Sequence, residues 1–321
     1  MKNRQHNIVI AEGFQQAVVD RLKQCGTVTV LDNPAPETLI AALPDAHALL
    51  VKSKAHVTAR IIDAAPNLKV IGRACPNVDH IDLRAAQRRD IHVVYTPHVA
   101  VASTAEFALA LIMAVHRRLL PFNRALRQGE FEDLRKPSGR ELGKQTLGLL
   151  GLDPVAEHLG KMFQAAFGGR ILYHDLAAKQ PVGWKGEAVD LETLLKQADI
   201  LSVHLRVSKD TKRLLNAERI ALLKPTAIVV NTSRGAVIDN VAIAEALRTG
   251  KLAGAGLDVF EVEPLPSNHH LRQLRGANCI LTPHVSAATD DAWIGRDDVA
   301  DDVIRVLQGK KPRFPAKAPD T

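Results

Sequence analysis

Thr146-Leu-Gly-Leu-Leu-Gly-Leu-Asp-Pro-Val-Ala-Glu-His-Leu-Gly160 is the segment on which the topology turns. An apolar run ends at Gly151, and Asp153-Pro154 then opens a helical pattern. Aspartate is a good N-cap and proline suits the first helical position, so the segment reads strand, tight turn, helix. About two dozen residues after Gly151 a second strand, Arg170–His174, ends in Asp175. A dinucleotide-binding βαβ unit has G-x-G-x-x-G and a ribose-binding acid at these places. Gly151 fits the first glycine, but the second position is Asp153 and the third is Ala156.

The second glycine lets backbone approach a pyrophosphate closely. Asp153 adds a side chain and a negative charge there. One carboxylate ~4 Å from one phosphate charge costs on the order of 4 kcal/mol at an effective dielectric near 20, and about 1 kcal/mol when fully screened. Affinity would fall roughly tenfold to a thousandfold. Two readings stand side by side. The turn binds a dinucleotide with an adjusted loop, or Asp153 caps its own helix and closes the anion site. Asp175 is expected to accept from the ribose hydroxyls, favouring NAD over NADP, or to serve as a turn residue or cap.

Strands and helices alternate along the rest of the chain. Strands are expected at Asn7–Ala11, Thr27–Leu31, Ala48–Lys52, Lys69–Arg73 and His92–Tyr95, then at Thr146–Gly151, Arg170–His174, Ile200–His204, Ala227–Asn231, Gly254–Asp258 and Cys279–Thr282. The pattern predicts an α/β chain with two doubly wound domains. A long helix from Ser103 to Leu120 is expected between them, with Ser103 and Glu106 as a capping box and Pro121 restarting or kinking it. Asp133–Lys144 reads as a loop, Glu263–Gly276 as an irregular connection, and Ala287–Gln308 as a final helix.

The length, 321 residues, suits two domains. No apolar run approaches the ~20 residues of a membrane span, and the start lacks a secretory pattern. Cys25, Cys75 and Cys279 are odd in number and widely spaced, which argues against a disulfide framework or a zinc site and for a reducing cytoplasm. The net charge of +7 comes from scattered basic residues, so neither nucleic acid nor a membrane is expected as partner.

Three further blocks stand in order: Leu223-Lys-Pro-Thr-Ala-Ile-Val-Val-Asn-Thr-Ser-Arg-Gly-Ala-Val-Ile-Asp239, Gly256-Leu-Asp-Val-Phe-Glu-Val-Glu-Pro264 and Thr282-Pro-His-Val-Ser-Ala-Ala-Thr289. With Val70-Ile-Gly-Arg-Ala74, Asp79-His-Ile-Asp82 and Thr104-Ala-Glu106, they resemble the D-isomer-specific 2-hydroxyacid dehydrogenases, including phosphoglycerate dehydrogenase-like members, over nearly the whole chain. The resemblance implies a flavodoxin-like substrate domain, 1–100 plus 287–321, and a Rossmann NAD-binding domain, 101–286. It implies hydride transfer between NAD(H) and a D-2-hydroxy acid or its 2-keto acid, and a homodimer formed through the nucleotide domain.

Arg234 matches the substrate-binding arginine, and its planar cation suits a carboxylate. His284 matches the acid/base histidine, and a carbonyl oxygen reduced by hydride needs a proton. Glu263 matches the glutamate that orients and charges this histidine. Thr232, Asp258 and the backbone at Pro154-Val155 match cofactor contacts, alongside Gly151, Asp153 and Asp175. No metal is implied.

The substrate loop departs from the glycine-rich family pattern. It reads Cys75-Pro-Asn-Val78, where Pro76 lacks an N–H, Asn77 can adopt a left-handed conformation, and the Val78 N–H is a candidate donor. His98 stands where the family has glycine. His204-Leu205-Arg206 replaces His-x-Pro, and Arg206 opposes Asp153, contacts an anionic ligand or lies on the surface. Cys75 as a nucleophile and His269-His270 as metal ligands are the minor readings. The altered turn and loop also admit a non-catalytic homologue that senses a metabolite or binds protein.

Overall fold

The computed structural model describes residues 6–131, 139–274 and 276–318. The chain divides into two compact units, Met1–Ala100 with Thr289–Thr321, and Val101–Ala288.

The first unit begins β1 (His6–Ile10), α1 (Gln16–Lys23), β2 (Gly26–Val30), α2 (Pro36–Ala42), β3 (Ala48–Val51), α3 (Ala59–Asp63), β4 (Val70–Arg73), α4 (Leu83–Arg88) and β5 (His92–Tyr95). Its sheet is parallel, in the order β2-β1-β3-β4-β5, the flavodoxin-like arrangement. β3 and β4 are buried at every position, as expected of strands covered on both faces.

The second unit contains α5 (Val101–His116), α6 (Leu119–Arg127), β6 (Leu147–Leu150), α7 (Pro154–Phe167), β7 (Ile171–His174), β8 (Glu187–Ala188), α8 (Leu191–Gln197), β9 (Ile200–Val203), α9 (Ala217–Ile220), β10 (Ile228–Asn231), α10 (Asn240–Arg248), β11 (Gly254–Leu257), α11 (His270–Gln273) and β12 (Cys279–Leu281). The parallel order is β12-β11-β10-β9-β6-β7-β8. Counted from β6, this is the dinucleotide-type order extended by one edge strand, and the order reverses between β6 and β9. A ligand is expected outside the carboxyl ends at that point. α5 lies close on the sheet because β11 offers glycine: a Cβ on Gly256 would stand 3.1 Å from the Leu111 Cβ.

The chain then returns to the first unit as α12 (Asp290–Arg296) and α13 (Val299–Leu307). A Cβ on Gly72 of β4 would meet Val303 of α13 at 2.5 Å, so the glycine admits this helix.

Several expectations need correction. The helix expected from Ser103 starts at Val101, after Ala100 at φ +64°, so Ser103 lies inside its first turn and not at the N-cap position. It stops at His116, Arg118 takes a left-handed conformation, and α6 restarts with Pro121 in its first turn, where a missing N–H is tolerated. The final helix is two helices. α12 is capped by Thr289 Oγ1, which accepts from Ala292 N–H at 3.2 Å. It breaks before α13 at Asp297, whose buried carboxylate accepts from Gln15 N–H at 3.3 Å. The irregular Glu263–Gly276 connection contains α11. Of the expected loop Asp133–Lys144, residues 133–138 lie outside the described residues, and Leu142–Lys144 forms one 3-10 turn. Among the described residues no helix is long and apolar enough to cross a membrane.

Candidate active site

The second unit gathers most of the expected site residues at the carboxyl ends of its strands. After β10 the chain turns sharply. Asn231 Oδ1 accepts from the N–H and the hydroxyl of Ser233 at 3.0 and 2.9 Å, and its amide donates to the Arg234 carbonyl at 3.0 Å. Arg234 donates from Nη1 to the Ser233 carbonyl at 2.8 Å and is half-buried. Gly235 follows because a Cβ there would stand 1.9 Å from the Phe260 carbonyl carbon.

After β11 the Asp258 carboxylate is fully buried. Its Oδ1 accepts from Thr282 Oγ1 at 2.6 Å and Val285 N–H at 2.9 Å, and its Oδ2 accepts from Ser286 N–H at 2.9 Å. Asp258 thus shapes the turn that carries His284. That residue has φ +55°, and its N–H donates to the Asp258 carbonyl at 2.9 Å. The His284 ring meets Glu263, with Nδ1 2.8 Å from Oε2. Glu263 Oε1 accepts from Phe260 N–H at 2.9 Å. A carboxylate can only accept, so the Nδ1 carries the hydrogen and Nε2 is left for chemistry.

At the other end of the site, Gly151 has φ +97°, and a Cβ there would stand 2.7 Å from the His204 carbonyl oxygen. Asp153 is the N-cap of α7, accepting from Ala156 N–H at 2.8 Å, with Pro154 first in the helix and Val155 half-buried behind it. Asp175 joins the turn to β7. Its Oδ2 accepts from Leu152 N–H at 2.7 Å and from Lys179 Nζ at 2.9 Å, and its Oδ1 accepts from Ala177 N–H at 2.9 Å. Burial pushes this carboxyl up, but the hydrogen bonds from Ala177, Leu152 and Lys179 outweigh it and hold the group below the usual range. Thr232 is buried and its Oγ1 has no hydrogen-bond partner. A cavity of about 390 Å³ borders the first turns of α7, lined among others by Asp153, Glu157, His158 and Val182.

Asn77 and Val78 belong to the first unit, in the loop after β4. Asn77 is not among the residues with positive φ, so the left-handed expectation is corrected. The loop is held differently. Arg73, 2% exposed, donates from Nε to the Asn77 carbonyl at 2.9 Å. Val78 is half-buried, and its carbonyl accepts from Ile81 N–H at 3.0 Å. Burial pushes the Cys75 thiol up, against the pull of Arg73 and Arg296, which disfavours the nucleophile reading. His98 tilts against Phe314, with centroids 4.9 Å apart.

Among the described residues Arg206 makes no ion pair with Asp153; its side chain is exposed. His269 caps α11 by accepting from Leu271 N–H at 3.2 Å. Sequence reasoning gave no role to Arg73, Lys179 or His204. Arg73 and His204 stood inside segments matched to the family, and Lys179 stands four residues from Asp175.

The family model for the D-isomer-specific 2-hydroxyacid dehydrogenase NAD-binding domain matches residues 109–286. The chain belongs to the D-isomer-specific 2-hydroxyacid dehydrogenase family. A glyoxylate reductase of Thermofilum pendens is 39% identical over 306 residues, covering 91% of this chain and 88% of that one. A D-3-phosphoglycerate dehydrogenase of Synechocystis is 35% identical, covering 97% of this chain and 56% of that longer protein. A crystal structure of a Thermus thermophilus protein superposes with a TM-score of 0.86 at 34% identity, covering 97% and 99% of the two chains.

The family implies a dinucleotide, and the residues present fit one. Gly151 leaves room where a side chain would collide, the α7 N-terminus points to the turn, and the buried Thr232 hydroxyl is unpartnered. The Asp153 carboxylate is the feature that opposes an anion there.

Proposed function

We propose that the chain is an oxidoreductase that interconverts a D-2-hydroxy acid and its 2-keto acid with NAD(H). In this reading the second unit is the NAD-binding domain and the first is the substrate domain. The observation that carries it is the His284–Glu263 pair, with Nδ1 committed at 2.8 Å and Nε2 free to exchange a proton. Bound nicotinamide supplies or accepts the hydride. Every other role falls to side chains of this chain.

Arg234 holds the substrate carboxylate by charge-assisted hydrogen bonds, and Asn77 with the Val78 N–H adds further substrate contacts. His284 gives a proton to the carbonyl oxygen in reduction and takes it back in oxidation. Glu263 orients the ring and stabilises its charged form. Gly151, Asp153, Pro154, Val155, Asp175, Thr232 and Asp258 form the cofactor-binding set. Asp175 selects NAD over NADP by repelling a 2′-phosphate, a selection that Lys179 weakens. No observation favours the non-catalytic reading.

The names of the relatives suggest glyoxylate, hydroxypyruvate or a phosphorylated acid as the substrate class. A homodimer through α5 and α6 is supported by the exposed Leu119, Leu120 and Leu126, since α6 buries no residue within the chain. Light scattering at micromolar protein would show twice the 34.9 kDa chain mass. Cytoplasmic placement rests on three free cysteines, one of them, Cys279, pushed up to about 12 by burial.

The test is His284→Ala assayed with NADH and a panel of 2-keto acids. Turnover should fall by about 10²–10⁴-fold while NADH affinity stays within twofold. Unchanged turnover would remove His284 from the mechanism.

A further inference from the structure

An aspartate and a buried histidine face each other across the Gly151 turn without completing a hydrogen bond. Asp153 Oδ1 stands 3.6 Å from His204 Nδ1. The histidine is 3% exposed, its Nε2 shares a hydrogen bond with Ser202 Oγ at 2.8 Å, and its Nδ1 has no partner. Unpartnered buried nitrogens are rare and call for a reason. Burial holds this imidazole below its usual range, with Asp153 pulling the other way.

The surroundings leave Asp153 as the charge that faces the ring. Asp175, on the β7 side, is already paired with Lys179 at 2.9 Å. His174 next to it bonds the Val189 carbonyl through Nδ1 at 3.0 Å. On the β10 side stand Asn231 and Thr232, both uncharged. Glu157, one turn along α7, is taken up by Val182 N–H and Trp184 Nε1. Arg206 lies two residues on with an exposed side chain.

We propose that Asp153 and His204 form a proton-linked gate on the dinucleotide site: the diphosphate binds at the Gly151 turn with uptake of one proton, held at His204 Nδ1 and shared with Asp153. The inference rests on the cofactor reading above. A diphosphate adds negative charge to a turn that already carries a carboxylate, and added negative charge favours the protonated form of a neighbouring group. In the tautomer whose Nε2–H donates to Ser202 Oγ, a proton taken up at Nδ1 turns that nitrogen into a donor aimed at Asp153, satisfies it and offsets the carboxylate charge. A glycine at position 153 would need none of this.

The sign follows from linkage. The free protein holds the proton weakly and the bound form holds it tightly, so affinity rises as pH falls through the interval between the two values. It levels off below the free-state value.

The experiment is calorimetric titration of the full chain with NADH at pH 7.5, in two buffers of different ionisation enthalpy, together with Kd from pH 6 to 8.5. The expected result is uptake of close to one proton per NADH and a Kd that tightens by up to about tenfold per pH unit of acidification. Asp153→Asn keeps a capping oxygen. It should abolish the uptake, flatten the pH profile and bind NADH more tightly than the native chain at pH 8. His204→Gln, with folding checked by its melting curve, should bind weakly and without uptake. Tight binding by the native chain without proton uptake, or unchanged uptake in Asp153→Asn, would overturn the gate and leave the cofactor reading standing. No NADH binding at any pH would overturn both.

Discussion

Glu263 touches both His284 and the backbone of its own turn: Oε2 lies 2.8 Å from the His284 Nδ1, and Oε1 accepts from Phe260 N–H at 2.9 Å. The second bond braces the carboxylate, so the first fixes the ring. His284 itself is held from below, its N–H on the Asp258 carbonyl at 2.9 Å. The imidazole is therefore positioned by two buried or braced carboxylate residues, one acting on the ring and one on the backbone.

Glu263→Gln tests the ring contact. Glutamine keeps the shape but removes the charge, and its amide can turn a donor toward Nδ1 and favour the wrong tautomer. Turnover should drop by at least about tenfold, as when a triad carboxylate becomes an amide. NADH affinity should be unchanged within twofold by calorimetry. Equal losses in turnover and NADH binding would mean that Glu263 supports the loop and not the proton transfer.

Arg234→Lys tests whether the guanidinium is needed as a planar fork. A lysine keeps the charge but loses the paired geometry. Hydrogen bonds to a charged group contribute about 1.5–3 kcal/mol each, so loss of one raises KM for the keto acid roughly 10–150-fold. Steady-state kinetics would read this directly. A lysine variant with native KM would show that charge alone suffices.

The fold was legible because the inner strands of both sheets are covered on both faces, and such strands read as unbroken apolar runs. β3, β6 and β10 are buried at every residue, and each was visible as a short β-branched or leucine run. β8 carries only Glu187 and Ala188, both exposed, and leaves no pattern to read. Ser103 failed as a cap because the helix start is set by the turn at Ala100, which a local capping rule does not weigh. The Arg234, Glu263 and His284 set was readable from motifs. The bonds that hold its neighbourhood were not, because they join residues far apart in sequence: Asp258 to Val285 and Ser286, or Asp175 to Leu152.

Asp175 should make stability depend on pH at the acid end. Its folded carboxyl is held below the usual value, so the unfolded state takes up the proton first as pH falls. The stabilisation is fully present above the unfolded value of ~3.9 and disappears as pH drops through the lower folded value. Asp175→Asn should lower Tm at pH 7 by roughly 2–4 °C for each kcal/mol lost. The gap to the native chain should then narrow below about pH 4. A gap that stays constant down to pH 3 would show that the Leu152 and Ala177 bonds work equally well with a neutral side chain.

Asp153→Gly brings the two functions of one residue into opposition. As the α7 cap, Asp153 accepts from Ala156 N–H at 2.8 Å, and glycine in its place costs only a few tenths of a kcal/mol. As a charge beside the diphosphate position, its removal should tighten NADH binding by roughly tenfold to a thousandfold at pH 8. The gain should shrink at pH 6, because the native chain already offsets the carboxylate there with a proton on His204. A Tm within about 2 °C of the native chain, alongside the stronger binding, would show that the aspartate is not retained for stability. Equal binding at pH 8 would mean that Asp153 swings clear of the site and carries no penalty at all.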